Sequence, residues 1–210
     1  MVLLTAPGRR RHSAVVRITH WATAGSFIAL FVSGVAILLA HPRLYWGETG
    51  GLGSPSLLDL PLPLVLTGQS GWGRYLHFLS AWICIVAGAA YVVEGAWTAR
   101  FRHDLFQPAV ERRKPKYGHL QRVAYGIVVF GLFPMMIWTG FAMSPALTSV
   151  VPAMVTGLGG QQSARTIHFV VANALSVFVI GHVGAVIYTG FTSHVGWMIF
   201  GGVEPAGNDS

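Results

Sequence analysis

The chain has 210 residues, of which 53% are hydrophobic and 10% charged, with a mean hydropathy of +0.56. Soluble domains carry about 25% charged residues, so the composition excludes an ordinary soluble enzyme and predicts an integral membrane protein in contact with lipid. The net charge of +7 does not mark a nucleic-acid binder. Its positive residues cluster beside apolar stretches, at Arg9, Arg10, Arg11 and Arg17 and in seven positions between Arg100 and Arg122, which is the positive-inside pattern.

In chain order, apolar stretches at 17–41, 72–97, 120–144 and 164–190 are each long enough to cross a bilayer, which takes about 20 residues. The predicted fold is all-α: one domain over 1–210, a four-transmembrane-helix bundle. The first stretch is too long for a signal peptide and ends Leu38-Leu39-Ala40-His41-Pro42-Arg43 without a small-residue cleavage site, so it is expected to stay as a span. A loop rich in Gly, Pro and Leu follows it. The second loop is basic and the third is nearly uncharged. The charge bias predicts a cytoplasmic N-terminus, second loop and C-terminus. Pro134 is expected to kink the third span. The single cysteine, Cys84, excludes a disulfide within the chain, an iron–sulfur cluster of its own, and covalent haem attachment through Cys-x-x-Cys-His.

Ionisable residues inside a membrane are costly, so each is a candidate for function. Of the nine histidines, His12, His103 and His194 fall in basic or terminal segments. His41 follows the first span, and His119 opens the third. His20, His77, His168 and His182 remain. His168 and His182 are fourteen residues apart, which on a helix puts both on one face about 21 Å apart along the axis. His77 enters its span at the same depth as His168, and His20 enters at the depth of His182. The four therefore resolve into an outer pair, His77 with His168, and an inner pair, His20 with His182. Each pair comes from two helices, as bis-histidine ligation of haem iron requires.

Three of these histidines follow an arginine by three residues: Arg17, Arg74 and Arg165. Residues i and i+3 share a helical face, so each guanidinium would lie about one turn nearer the surface, where it could pair with a haem propionate. For Arg17, positive-inside anchoring explains the residue as well. Arg74 and Arg165 lie on the side where that rule disfavours them and need another reason. Gly34 and Gly88 would admit a flat macrocycle, although helix packing accounts for them equally. Four histidines at two depths cannot share one zinc ion. The near absence of acids within the spans, with Glu94 the exception, argues against a proton or ion path.

Arg17-Ile18-Thr19-His20-Trp21, Arg74-Tyr75-Leu76-His77-Phe78, Thr139-Gly140-Phe141-Ala142-Met143-Ser144-Pro145 and Arg165-Thr166-Ile167-His168-Phe169 with Gly181-His182-Val183 resemble the bacterial four-helix cytochrome b561 superfamily. In particular the chain is similar to the membrane cytochrome b subunits of formate dehydrogenase, nickel–iron hydrogenase and thiosulfate reductase, over residues 15–200. The resemblance implies two b-type haems, with His77 and His168 on the outer and His20 and His182 on the inner. It also implies exchange with quinone and an outward-facing catalytic partner of the molybdopterin oxidoreductase type. The long first loop departs from the formate dehydrogenase pattern. The polar residues clustered near His20 and His182, with His119 or Arg122 beside them, suggest a cytoplasmic-side quinone site, although the sequence does not assign one. Two alternatives remain: a self-contained superoxide:quinone oxidoreductase of the same superfamily, and a non-redox membrane anchor or transporter.

Overall fold

The computed structural model of the chain describes residues 13–51, 53–59, 70–98 and 119–201. His12, His103, most of the basic second loop and the last nine residues lie outside the described residues, as do Arg9, Arg10 and Arg11. Helix α1 runs Ala14–Ala40 and opens on Ser13, whose hydroxyl accepts from the Val16 N–H. The same hydroxyl donates to Glu94 Oε1 at 2.7 Å. The one acid within a span thus stands at the start of a helix, where the partial positive charge favours it. Helix α1 ends at His41, which bonds back to the carbonyls of Ile37 and Leu38 just before Pro42.

A short antiparallel hairpin, β1 (Arg43–Leu44) with β2 (Leu58–Asp59), follows, closed by Arg43 on Asp59 at 3.1 Å. Helix α2 covers Ser70–Trp97. The third span begins as α3 (His119–Ile127), passes through a π-helical turn at Val128–Leu132, and continues as α4 (Phe133–Ala142). Pro134, where a kink is expected from its missing backbone donor, lies in the first turn of α4, directly after this π turn. The Phe133 N–H bonds the carbonyl of Val128, five residues back. Two short helices, α5 (Pro145–Thr148) and α6 (Ala153–Thr156), fill the third loop, and Trp138 Nε1 holds α6 through the Met154 carbonyl at 3.1 Å.

Helix α7 runs Gln161–Phe200, beyond the predicted end at 190. Helical geometry breaks at Gly190, where φ is 119°, a conformation that glycine adopts without a side-chain penalty. Hydrogen bonding then resumes through Phe200. Arg17 donates to the Ile199 carbonyl at 3.0 Å and Trp21 to the Met198 carbonyl at 3.1 Å, so α1 supplies partners for carbonyls at the end of α7. Trp21→Phe is expected to cost about 1 kcal/mol, one ordinary hydrogen bond. It should also speed amide exchange at the end of α7, measured by hydrogen–deuterium exchange.

The helices associate as two pairs, α1 along α2 and the third span along α7, with sparse contact between α1 and α7. Val128, Val171 and Leu175 form a buried cluster within the second pair, with Phe27 of α1 reaching it. Large apolar side chains such as Ile18, Phe31, Val86 and Ile180 face outward, as a lipid-facing surface does. Among the described residues, four helices are long and apolar enough to cross a membrane: Ala14–Ala40, Gly71–Trp97, Arg122–Ala142 and Gln161–Phe200.

Candidate functional site

The seam between the two helix pairs is where the histidines meet. His77 of α2 faces His168 of α7, with ring centroids 6.3 Å apart. His20 of α1 faces His182 of α7, also at 6.3 Å. A metal ion held about 2 Å from each of two facing imidazole nitrogens sets the ring centroids about 6 Å apart. Both separations would accommodate one metal ion shared between the two rings. Among the described residues, no three His, Cys, Asp or Glu side chains converge as a metal cluster.

Around the His77–His168 pair, the structure brings in Ser33, which the sequence did not single out, and Thr139, which entered there only as part of a family motif. Ser33 Oγ lies 3.0 Å from His77 Nδ1, and Thr139 Oγ1 lies 2.8 Å from His168 Nδ1. Each is followed by a glycine beside the same ring. A Cβ at Gly34 would come 3.6 Å from His77 Cε1, and one at Gly140 would come 3.7 Å from His168 Cε1. These are ordinary contacts, so neither glycine is forced by its histidine. A hydroxyl–glycine dipeptide near the end of two apolar spans is the signal that could have found these hydroxyls. Gly88 borders open space within 4 Å.

The His20–His182 pair is lined by aromatics instead. Phe178 stacks on His182 at 6.0 Å and Trp21 meets His20 edge-on at 5.4 Å. Arg17, one turn from His20, uses one terminal nitrogen on the α7 carbonyl. Its Nε is buried without a hydrogen-bond partner. His119 opens α3 and Arg122 follows one turn later. His194 lies past the break in α7, against Trp197.

At the hairpin end, Arg74 and Arg165 converge on His41. Arg74 Nη2 is 3.4 Å from His41 Nε2, and Arg165 donates to the His41 carbonyl. His41, which follows the first span in sequence, caps α1 and joins both arginines. Partial burial, then Arg165, then Arg74 push the His41 imidazole below its ordinary value. The folded state thus favours neutral His41, and its contribution is complete above about pH 6.5. The contribution declines as the pH falls from there toward the depressed folded value. A thermal unfolding series between pH 7 and 5 should show this decline, and His41→Gln should flatten it.

The hairpin is bound to the start of α7. The Gly47 carbonyl accepts from Gln162 N at 3.0 Å and Ser163 N at 3.3 Å, and Gly47 N donates to Ser163 Oγ at 2.8 Å. Thr166 Oγ1 donates to the Tyr45 carbonyl at 2.6 Å. The first loop thereby supplies acceptors to a helix start that has no side-chain cap of its own.

The fold and the histidine pairs define a class: a multi-pass helical membrane protein with imidazoles facing one another at two depths between its helix pairs. The sequence model of the family described as prokaryotic cytochrome b561 matches residues 11–201, and the chain belongs to that family. It is a b561-type membrane cytochrome, and the family binds b-type haem. The chain is also 26% identical over 196 residues to the putative protein-methionine-sulfoxide reductase subunit YedZ1 of Azospira oryzae, covering 83% of this chain and 89% of that protein. No solved structure gives a significant match.

Proposed function

We propose that the protein is a di-haem b-type cytochrome that carries electrons across a bacterial inner membrane, between an outward-facing oxidoreductase partner and the quinone pool. The observation that carries this reading is the pair of 6.3 Å imidazole separations at two depths of one helix. His77 and His168 would hold one haem and His20 and His182 the other. Both pairs bridge the sparsely packed seam, where a flat group can enter with little rearrangement. The orphaned Arg17 Nε suits a carboxylate of the inner group, and Arg74 with Arg165 suits those of the outer. Bound haem supplies one-electron redox chemistry. The chain's part is to fix the ligands, shield them with Phe178 and Trp21, and keep the two sites on one rigid helix.

In this reading the whole chain works as one membrane unit. The hairpin end faces outward and both termini lie in the cytoplasm, as the basic clusters favour. The name of the Azospira relative, a reductase subunit, favours a catalytic partner, and one of molybdopterin type fits the resemblance. A second reading, self-contained oxidation of superoxide with quinone as acceptor, draws on the convergence of Arg74 and Arg165, since clustered positive charge attracts a small anion. The deciding experiment uses the purified full chain. A reduced-minus-oxidised spectrum should show a b-type α-band and two haems per chain, and reduction should follow addition of a quinol. Absence of the band sinks the proposal, and superoxide-driven quinone reduction by the chain alone would favour the second reading.

A further inference from the structure

Ser33 and Thr139 are fully buried hydroxyls on different helices, yet both meet histidines of the same pair. Each hydroxyl also reaches a carbonyl one turn back on its own helix: Ser33 Oγ to Ala29 at 2.6 Å and Thr139 Oγ1 to Met135 at 2.8 Å. A hydroxyl has one proton and two acceptor sites, and a carbonyl can only accept. The hydroxyl proton therefore goes to the carbonyl, and the oxygen must accept from the imidazole. In both rings the proton then sits on Nδ1 and the free lone pair on Nε2. Among the described residues, no hydrogen bond reaches the rings of His20 or His182.

We propose that Ser33 and Thr139 are positioning residues that lock His77 and His168 in the Nδ1–H tautomer and make this pair the stronger electron donor to iron. The inference rests on the di-haem reading above. Hydrogen bonding to the distal nitrogen of a ligating imidazole orients the ring and raises its basicity. A more basic axial ligand favours ferric over ferrous iron, so these two hydroxyls lower the potential of one haem and leave the other alone.

Potentiometric titration of the purified full chain tests this, with Ser33→Ala and Thr139→Val compared with the parent. Each variant should raise the same one of two midpoints by about a tenfold change in the ferric-to-ferrous affinity ratio, or 59 mV for one electron. Thr139→Ser should restore the parent value, because it keeps the hydroxyl. Selective loss of one haem, the same in both variants, would support the proposal equally. Midpoints that stay put, that move together, or that move for different haems in the two variants would overturn it. If Ser33→Ala does not fold, the near-isosteric Thr139→Val carries the comparison with Thr139→Ser. A parent protein without a b-type band overturns the di-haem reading and this inference with it. Two haems with unmoved potentials overturn the inference alone.

Discussion

His168→Ala is expected to halve the haem content of the purified protein and leave the remaining haem spectrally intact. The two imidazole pairs share only α7, and their depths differ by fourteen residues, about 21 Å of helix. On the di-haem reading, removing His168 would leave His77 as a lone ligand across a seam with little helix contact to hold a group in place. The Thr139 hydroxyl keeps its bond to the Met135 carbonyl, so the substitution leaves little buried polar cost and the bundle should still form. His182→Ala should remove the other haem. The double variant His77→Ala with His168→Ala should lose no more than either single one, because both act on one bound group. Haem-to-protein ratios from pyridine haemochrome assays decide the matter. A His168→Ala protein that retains two haems would show that the 6.3 Å pairing does not correspond to ligation.

The second large effect concerns stability. Gly160→Ala is expected to destabilise the protein by about 3 kcal/mol, combining backbone strain with two lost hydrogen bonds. Gly160 has φ 112°, and a Cβ there would stand 2.5 Å from the Gly47 carbonyl oxygen and 2.7 Å from Glu48 N. Both contacts are backbone, so no side-chain rotation relieves them. The carbonyl that would be displaced is the one accepting from Gln162 and Ser163. Losing it frees the first loop from the helix that carries His168 and His182. Gly25 borders open space within α1, so Gly25→Ala is the control and should unfold within about 1 kcal/mol of the parent. Thermal unfolding of purified protein compares them. A Gly160→Ala protein as stable as the parent would mean that the loop does not approach α7 this closely.

Glu94 and Arg17 show why some residues resisted a reading from sequence. An acid in a span suggested a functional group, yet Glu94 accepts from Ser13 at the start of α1, 81 positions earlier. Arg17 looked like a membrane anchor or a propionate partner, and it also bonds Ile199, 182 positions later. Each interaction depends on where a distant helix ends, and apolar periodicity does not record that.

The sequence by itself determined the four spans and the depths of the four histidines. Apolar length sets a crossing, and the fixed rise of a helix converts residue spacing into height. The resemblance to the cytochrome b561 superfamily was legible for a related reason, since its motifs lie on those spans at that spacing. Rotation of each helix about its axis and the return paths of the loops were decided only by tertiary structure. That is why the contacts of Ser33 and Thr139 with the histidine rings were not legible, why α7 bends at Gly190 and turns back to α1, and why the first loop settles on Gly160. Height along a helix is a local property of the chain. Facing is not, because it depends on packing between segments far apart in sequence, and here packing brings the pairs read from depth ring to ring.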